Sequence, residues 1–265
     1  MKIEIKALHH TYPGDVKALN GISLTIEAGE QVAIIGQNGA GKTTLVKHLN
    51  GLLQPTSGSV LVGDWDTAKY KVAKLASRVG YVFQNPDEQL FTRTVHQEIS
   101  FGPKNLGYET EKIEALVEDA LRLTELTEQK ETNPYDLSPT WRKMVALASI
   151  IAMDTPIVIF DEPTTGQDAA NIARMANVVA TLRERGKTVI TITHDIDFCA
   201  ENFERVIALS EGKVLLDGAA NDVLGQEGTL AQTFVDPPQL TRLGLRLGLQ
   251  KIVRNQEEFL KALKS

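Results

Sequence analysis

The chain has 265 residues, 42% of them hydrophobic and 23% charged, which is enough to bury a full globular core and does not indicate disorder. The 28 basic and 34 acidic residues leave a net charge of −6, which argues against nucleic acid as the main partner. The single cysteine, Cys199, excludes an internal disulfide and is typical of a reducing compartment. No signal-peptide pattern and no run of about 20 apolar residues is present, which predicts a cytosolic protein that reaches a membrane only through a partner.

The first third of the sequence combines short strands with one helix. Strands are predicted in chain order at Lys2–Leu8, Ile22–Ile26, Gln31–Ile35, Ser59–Val62 and Val79–Phe83. The first of these alternates between apolar and polar residues, whereas Gln31–Ile35 is of the apolar type that is typical of a buried strand. A glycine-rich turn follows Ile35, and the helix predicted over Gly41–Leu52 ends near Gln54-Pro55.

The middle of the chain is mainly helical, and strands return after it. Between about residues 86 and 152, helices are predicted at Val95–Phe101, Glu111–Leu123 and Pro139–Ile151. Later strands are predicted at Ile157–Phe160, Thr188–Thr193, Val206–Leu209 and Lys213–Leu216, with a helix over Ala169–Arg185. This alternation predicts a mostly parallel sheet covered on both faces and split by a helical insertion. Residues 226–265, with spaced leucines and a helical pattern at Glu257–Lys264, are predicted to form a small C-terminal extension.

A glycine-rich segment between a buried strand and a helix is the strongest functional signal in the sequence. Its candidate nucleotide-binding residues are Gly36, Asn38, Gly39, Ala40, Gly41, Lys42, Thr43 and Thr44. Glycine allows close backbone approach, so backbone N–H groups and the helix N-terminus can surround a β-phosphate. Lys42 is placed to reach the β- and γ-phosphates, and the Thr43 hydroxyl is placed to ligate Mg²⁺. The segment therefore predicts a site for ATP and Mg²⁺.

Two carboxylates follow the apolar strand Ile157–Phe160. Asp161 lies at the strand end, where it can hold Mg²⁺ through water, and Glu162 lies one residue further, where it can face the attacking water. A carboxylate near a γ-phosphate is suited to act as a general base or to polarise that water. Helicases and other ATPases also carry such acidic pairs, so the two motifs indicate nucleotide hydrolysis without selecting a family.

Further segments, in their order and approximate spacing, make residues 1–225 resemble the ABC-type ATPases. They are Val82-Phe83-Gln84-Asn85-Pro86, Leu137-Ser138, Asp161-Glu162-Pro163-Thr164-Thr165-Gly166-Gln167-Asp168 and Thr191-Ile192-Thr193-His194-Asp195. The resemblance implies an α/β fold with a P-loop NTPase (RecA-like) core, an antiparallel β subdomain and an inserted helical subdomain at about 86–152. Residues 1–225 would form the nucleotide-binding domain, and residues 226–265 would supply dimer contacts.

The same resemblance implies roles for residues that are isolated in the sequence. Gln84 would contact Mg²⁺ and the attacking water from the loop that joins the core to the helical insertion. His194 would hydrogen-bond the γ-phosphate, and Asp168 would cross the interface of a dimer. Tyr12 occupies the position where the family stacks an aromatic ring on adenine. His48 has no such context and is expected to be an ordinary residue.

A narrower resemblance is to the ATPases of energy-coupling factor transporters, which power uptake of vitamins or of cobalt and nickel. It rests on Phe83-Gln84-Asn85-Pro86-Asp87-Glu88-Gln89-Leu90-Phe91, Ile99-Ser100-Phe101-Gly102-Pro103-Lys104-Asn105-Leu106-Gly107 and Asp236-Pro237-Pro238-Gln239-Leu240. In that branch the segment Asp87–Phe91 would face the coupling helices of a transmembrane protein. The implied partners are that coupling protein and a substrate-binding membrane component, and the implied location is the cytoplasmic face of the cell membrane.

One motif departs from the family pattern. The ABC signature, normally Leu-Ser-Gly-Gly-Gln, reads here Leu137-Ser138-Pro139-Thr140-Trp141. In the family the signature completes the ATP site of the partner subunit through its serine and a glycine amide, so Ser138 is a candidate nucleotide contact. Ser138 can cap a helix that has Pro139 at its first position, but Thr140 removes the close backbone approach of glycine. A homodimer would hold two altered sites, and we therefore predict a heterodimer with a paralogous ATPase subunit.

Three functions remain open from the sequence. The first is a transport ATPase. The second is a cytosolic ABC ATPase acting on DNA or ribosomes, for which a basic surface or long insertions are expected, and the chain shows neither. The third is a regulatory nucleotide-binding subunit without turnover, which Glu162 and His194 argue against and the altered signature keeps open.

Overall fold

The computed structural model describes residues 1–249 and 252–264, and the strands within them form two sheets. The strands are β1 (Ile3–Tyr12), β2 (Val16–Ile26), β3 (Gln31–Ile35), β4 (Ser57–Val62), β5 (Trp65–Asp66), β6 (Val79–Val82), β7 (Ile157–Asp161), β8 (Thr188–Ile192), β9 (Arg205–Ser210) and β10 (Lys213–Ala219). A four-stranded antiparallel sheet has the order β2-β1-β4-β5. A six-stranded sheet has the order β10-β9-β3-β8-β7-β6, with parallel pairs except for β10 and β9 at one edge.

The burial of the strands explains where the functional residues meet. Strands β3, β7 and β8 are buried at every residue, because the parallel sheet is covered on both faces. Strand β8 lies between β3 and β7, so these three strands are consecutive in the sheet. The carboxyl ends of parallel strands meet at one edge, which brings together the residues that follow β3, β7 and β8.

The helices of the described residues cover the sheet and build the insertion. They are α1 (Lys42–Leu49), α2 (Val72–Leu75), α3 (Val95–Asn105), α4 (Thr110–Leu123), α5 (Pro139–Ile151), α6 (Ala169–Glu184), α7 (Ile196–Asn202), α8 (Ala220–Leu224), α9 (Glu227–Leu230), α10 (Gln239–Arg246) and α11 (Gln256–Ala262). Helices α3, α4 and α5 pack on one another between β6 and β7 of the chain, as the predicted helical insertion requires. Within residues 1–249 and 252–264, no helix combines the length and the apolar character needed to cross a bilayer.

The main strands and helices confirm the sequence predictions, with differences at their ends. Strands β1 and β2 are longer than predicted, because the turn Pro13-Gly14-Asp15 lets them pair as a hairpin up to Tyr12 and Val16. Helix α1 ends at Leu49, before the Gln54-Pro55 signal. The sequence does not predict β5 or α2, which have 2 and 4 residues and are too short to show a period.

The C-terminal segment contacts the glycine-rich loop after β3. The backbone N–H of Gln37 donates to the carbonyl oxygen of Thr233 at 3.1 Å. Thr233 is fully buried and ends the 3₁₀ turn Ala231–Thr233, which follows α9. Beyond this turn, Leu243 and Leu247 of the α10 region are 44% and 57% exposed. The segment therefore borders the loop at one end and presents apolar side chains to the surface at the other.

Candidate functional site

The phosphate loop joins β3 to α1, and its backbone requires glycine at two positions. Gly36 has a φ of 143°, and a β-carbon there would collide with the carbonyl oxygen of Leu209. Gly41 has a φ of 99°, and a β-carbon there would lie 2.7 Å from the carbonyl oxygen of Ala18. Only glycine fits both positions, and the bare backbone leaves N–H groups that a ligand can approach closely.

Lys42 is buried inside the loop, with an exposure of 6%. Its Nζ donates to the carbonyl oxygens of Gly36 at 2.7 Å and Gln37 at 3.0 Å, so the side chain runs back along the loop. Burial lowers the pKa of Lys42, and the carboxylates of Glu162 and Asp161 act in the opposite direction. The ammonium group is therefore held between the loop and the acidic pair, where it can bind an anionic oxygen.

The first turn of α1 adds further groups that can bind an anion. Gly41 is the N-cap and has no side chain to accept from the first N–H groups of the helix, which leaves them for a ligand. The partial positive charge of the helix N-terminus adds to that of Lys42. Thr43 and Thr44 place two hydroxyl groups in this turn. Of the other predicted loop residues, Asn38 and Gly39 are exposed and Ala40 is buried.

Asp161 lies at the carboxyl end of β7 and keeps one oxygen free. Its Oδ2 accepts from the hydroxyl of Tyr81 on β6 at 2.5 Å, and burial together with the Asp161 charge raises the pKa of that hydroxyl. Its Oδ1 is buried and has no hydrogen-bond partner among the residues that the structure describes. A buried carboxylate oxygen without a partner, near the hydroxyl-bearing first turn of α1, suits a hard cation such as Mg²⁺. Asp161 and Thr43 therefore fit the predicted metal site.

Glu162 and His194 form a contact at the same edge of the sheet. The Nδ1 of His194 lies 2.8 Å from Oε2 of Glu162, and the His194 backbone N–H is 3.4 Å from the same oxygen. Glu162 is 7% exposed, whereas the His194 side chain is 64% exposed. Glu162 has a φ of 48°, and its N–H donates to the carbonyl oxygen of Ile192 at 2.8 Å. The structure thus joins the residues after β7 and β8, two of the three predicted catalytic residues.

The third predicted catalytic residue, Gln84, is joined to the site through its backbone. Gln84 is an exposed residue just after β6, and its backbone carbonyl oxygen accepts a hydrogen bond from Nζ of Lys143. The same Nζ is 3.4 Å from the carbonyl oxygen of Glu162. The sequence does not identify Lys143, because a lysine beside Arg142 at the start of an amphipathic helix normally indicates a solvated face. Only its packing, with an exposure of 2%, shows its place in the site.

Tyr12 lies beside the phosphate loop and is 36% exposed. Its hydroxyl is 3.1 Å from Oγ1 of Thr44, and its ring has an edge contact with His10 at 4.6 Å between centroids. His48 Nδ1 donates to the Thr44 carbonyl oxygen at 2.7 Å, and its Nε2 lies 3.2 Å from Nδ1 of His10. The sequence treats His48 as an ordinary residue, and in the structure it contacts His10, the residue whose ring packs against Tyr12. The ring of Tyr12 is placed at the loop, where it can contact a base.

Ser138 and Asp168 lie outside this cluster and cap helices at the surface. The hydroxyl of Ser138 accepts from the N–H of Trp141 at 3.5 Å and lies 2.8 Å from the Thr140 hydroxyl. Asp168 accepts from the N–H of Asn171 at 2.8 Å at the start of α6. Both residues are exposed. Within the residues that the structure describes, neither is brought to the phosphate loop of the same chain.

The fold and the loop are those of P-loop nucleotide-binding proteins, and the comparisons with known proteins narrow this class. The family model described as ABC transporter matches residues 19–165 of the 265. The energy-coupling factor transporter ATP-binding protein EcfA of Methanoculleus marisnigri is 42% identical over 242 residues, which cover 91% of this chain and 87% of that protein. The chain belongs to the ABC transporter family, and the predicted family and fold class are confirmed.

Solved structures support the same fold. The cbiO1 protein of Clostridium perfringens, part of the ABC transporter complex cbiONQ, matches with a TM-score of 0.78 and 32% identity over 93% of this chain and 95% of that chain. A dimeric ATP-binding cassette in a post-hydrolysis state with ADP and phosphate matches with a TM-score of 0.75 and 27% identity, covering 82% of this chain and 98% of that chain. The chain spans only 40% and 43% of the length of two other curated relatives.

Proposed function

We propose that the chain is the ATP-binding and ATP-hydrolysing subunit of an energy-coupling factor transporter, which powers uptake of a vitamin or a transition-metal ion through a separate membrane subunit. The observation that carries this proposal is the 2.8 Å contact between Glu162 and His194 at the sheet edge that also holds the phosphate loop. A nucleotide-binding subunit without turnover would not need a paired carboxylate at this place. The contact therefore favours hydrolysis over a purely regulatory role.

The residues of this chain divide the work of hydrolysis. The N–H groups of the phosphate loop and Lys42 would bind the phosphates of ATP, and the ring of Tyr12 would stack on adenine. Thr43, Asp161 and Gln84 would hold Mg²⁺, which neutralises phosphate charge when it is bound.

The buried carboxylate of Glu162 would accept a proton from the attacking water or polarise it. His194, which is largely exposed, would donate to the γ-phosphate and orient Glu162. These two side chains lie close enough to act on one water molecule, because a single hydrogen bond joins them.

The test is phosphate release from Mg-ATP by the membrane complex that co-purifies with a tagged form of this chain. Wild type is expected to release phosphate, and Glu162→Gln is expected to lower the rate by about 100-fold or more while ATP still binds. Glu184→Gln, an exposed change at the end of α6, is the matched control and should leave the rate unchanged. An unchanged rate in Glu162→Gln, or no membrane protein in the complex, would contradict the proposal.

We propose a docking surface for the transmembrane protein around Asp87 and Phe91, with one correction to the sequence prediction. Leu90, which the sequence places on this surface, is 3% exposed and packs in the core of the insertion with Val95 and Ile99. Phe91 is 60% exposed and has an edge contact with Phe101 at 4.7 Å. An exposed aromatic pair supports docking of an apolar partner surface at the cytoplasmic face of a membrane.

We also propose that the chain works as a heterodimer with a paralogous ATPase subunit. The Thr140 hydroxyl, at 2.8 Å, already engages the Ser138 hydroxyl that would meet the γ-phosphate of the partner's ATP. The guanidinium group of Arg174 on α6 lies over the Trp141 ring at 4.9 Å. These contacts within the chain support the proposal that its signature would complete the partner's ATP site poorly. A partner with an intact signature would complete the ATP site of this chain.

The C-terminal residues 226–265 are proposed as an extension that adds dimer contacts to the nucleotide-binding domain of residues 1–225. The exposed side chains Leu243 and Leu247 support this role. Burial of apolar surface would stabilise a dimer at about 25 cal/mol per Å². Loss of the dimer in a Leu243→Asp and Leu247→Asp double variant, measured by light scattering, is the expected result.

A further inference from the structure

Lys143 is a buried cation whose three donors face three backbone carbonyl groups. The residue is 2% exposed and lies in the first half of α5. Its Nζ donates to the carbonyl oxygens of Phe83 at 3.1 Å and Gln84 at 2.5 Å, and it lies 3.4 Å from that of Glu162. An ammonium group has three N–H donors, so these contacts use all of them.

The three carbonyl groups belong to two different loops of the site. Phe83 and Gln84 follow β6, and Glu162 follows β7, the neighbouring strand in the sheet. Lys143 itself belongs to the inserted helices. One side chain therefore joins α5 to the glutamine loop (residues 83–89) and to the backbone of the proposed catalytic carboxylate.

The charge of Lys143 is costly in this position. Among the residues that the structure describes, no carboxylate forms a salt bridge with it, and burial lowers its pKa to about 8 even though Asp161 and Glu162 oppose the shift. A well-packed apolar side chain would avoid this desolvation cost. Lys143 therefore carries a buried charge at a cost in free energy, and each of its donors contacts a backbone carbonyl of the site. This combination indicates that the residue has a role in the site.

Further contacts tie the glutamine loop to the same helix. Gln89 accepts from the N–H of Phe83 at 3.1 Å and donates to the Ala146 carbonyl oxygen at 2.7 Å. Arg142 of α5 pairs with Asp87 at 2.8 Å. Residues 83–89 and the first half of α5 are therefore linked at several points, and they are expected to move together.

The backbone of Glu162 is held from two sides. Its carbonyl oxygen faces Lys143, and its N–H donates to the carbonyl oxygen of Ile192. Its φ of 48° is one that an L-residue adopts only when the surroundings hold it there. We infer that Lys143 is a positioning residue that holds the Gln84 and Glu162 backbones against α5, so that movement of residues 83–89 reaches the hydrolytic carboxylate.

This inference rests on the proposed function, and it is tested with Lys143→Met, which removes the donors at similar volume, and Lys143→Arg, which keeps a charged donor. In the co-purified membrane complex, Lys143→Met is expected to lower kcat about 100-fold with KM for Mg-ATP within about twofold of wild type. Lys143→Arg should recover most of the rate. Lys187→Met is the matched control, because Lys187 also donates to a backbone carbonyl, that of Asp154, at 2.9 Å, but at the opposite edge of the sheet.

A second measurement does not depend on hydrolysis. Amide hydrogen exchange of residues 83–89 in the isolated chain is expected to become faster by about tenfold in Lys143→Met and to stay near wild type in Lys143→Arg and Lys187→Met. Exchange in α1 should not change. If Lys143→Met does not yield folded protein by its melting curve, Lys143→Leu replaces it.

The two measurements separate the inference from the proposed function. A wild-type complex that releases no phosphate would contradict the proposed function, and hydrogen exchange would still decide the role of Lys143. Wild-type kcat in Lys143→Met, equal losses in Met and Arg variants, or unchanged exchange in residues 83–89 would each overturn the inference. A loss of rate in Lys187→Met equal to that in Lys143→Met would show a general effect of removing a lysine that donates to a backbone carbonyl, and would also overturn the inference.

Discussion

The carboxyl edge of the parallel sheet and the first turn of α5 differ in how they use their polar side chains. At the sheet edge, Lys42 and the free oxygen of Asp161 are buried, and His194 and Glu162 are paired, yet each keeps a group that a ligand can bind. At the first turn of α5, the Ser138 hydroxyl is already engaged by Thr140 within the same chain. The sheet edge therefore keeps groups that can bind a nucleotide, whereas the Ser138 hydroxyl at the first turn of α5 already has a partner in its own chain.

This difference has a simple explanation in a dimer of ABC-type subunits. The sheet edge would serve the nucleotide of its own chain, while the first turn of α5 would serve the nucleotide of the partner. A change such as Pro139-Thr140 in place of two glycines would then weaken the partner's site and leave the sheet edge intact. The first turn of α5 can therefore lose its function while the sheet edge keeps its own. The chain still folds, because Ser138 caps α5 and Pro139 suits its first position.

Loss of the ammonium group at the sheet edge should have the largest effect. Lys42→Ala is expected to abolish phosphate release and to lower affinity for Mg-ATP by about 10- to 100-fold, because a hydrogen bond to a charged group contributes about 1.5–3 kcal/mol. Calorimetry measures the affinity, and Lys47→Ala, later in the same helix, is the control. Equal ATP affinity in Lys42→Ala and wild type would show that this lysine does not bind phosphate.

Disruption of the proposed membrane-docking surface should affect transport without affecting the sheet edge. Phe91→Asp and Glu88→Arg are expected to lower uptake about tenfold or more while nucleotide affinity stays within about twofold, because these exposed residues lie on the insertion and not on the phosphate loop. Uptake by the reconstituted complex and ATP binding are measured together. Normal uptake with normal complex assembly in both variants would reject the surface.

Restoring the usual signature at the first turn of α5 should raise the rate of phosphate release. The triple change Pro139→Gly, Thr140→Gly and Trp141→Gln is expected to raise phosphate release by the partner's site severalfold, because it frees the Ser138 hydroxyl and restores close backbone approach. Trp141→Gln alone removes the ring that contacts Arg174 and packs against the core, but it leaves the Ser138–Thr140 contact in place. This variant is the control and should give no gain in phosphate release.

The same repair should cost stability. Two glycines near the start of a helix destabilise it by up to about 1 kcal/mol each, so the melting temperature is expected to fall by several degrees. An unchanged rate in a triple variant that is still folded would show that the altered signature does not limit the partner's site.

The smallest effect is expected at Tyr12. Tyr12→Ala should weaken ATP binding by about fivefold, since an aromatic contact contributes about 0.5–1.5 kcal/mol. Tyr12→Phe keeps the ring and removes only the contact with Thr44, so its affinity should stay within about twofold of wild type. Fluorescence titration with ATP measures both variants, and equal losses in the two would indicate that the hydroxyl, and not the ring, binds the nucleotide.

The sheet edge could be predicted from the sequence because each part of it is local. The phosphate loop follows a buried strand and begins a helix within nine residues, Gly36–Thr44, and Asp161 directly ends another buried strand. Parallel strands then bring their carboxyl ends together without further information. The same reasoning places His194 after β8, where the structure has it.

Contacts between distant parts of the chain could not be predicted in this way. Tyr81 meets Asp161 across 80 residues, and Lys143 meets Phe83 across 60, so their roles depend on the packing of neighbouring strands and of α5. For Leu90 the prediction was wrong, because a residue predicted to lie on a surface is buried. The resemblance places it on the surface that faces the membrane partner, but the 3₁₀ turn at Pro86–Glu88 directs it into the core of the insertion.

The most direct test of two unequal ATP sites in the proposed heterodimer compares two matched glutamate variants. In the complex with the paralogous subunit, Glu162→Gln in this chain and the matching change in the partner are introduced separately, and phosphate release and uptake are measured. In the proposed heterodimer the site that holds Glu162 of this chain would use the partner's signature, so Glu162→Gln is expected to abolish both activities, while the partner's variant should lose less than half of each. Equal losses in the two variants, or near-normal uptake with Glu162→Gln, would contradict the division of the two sites.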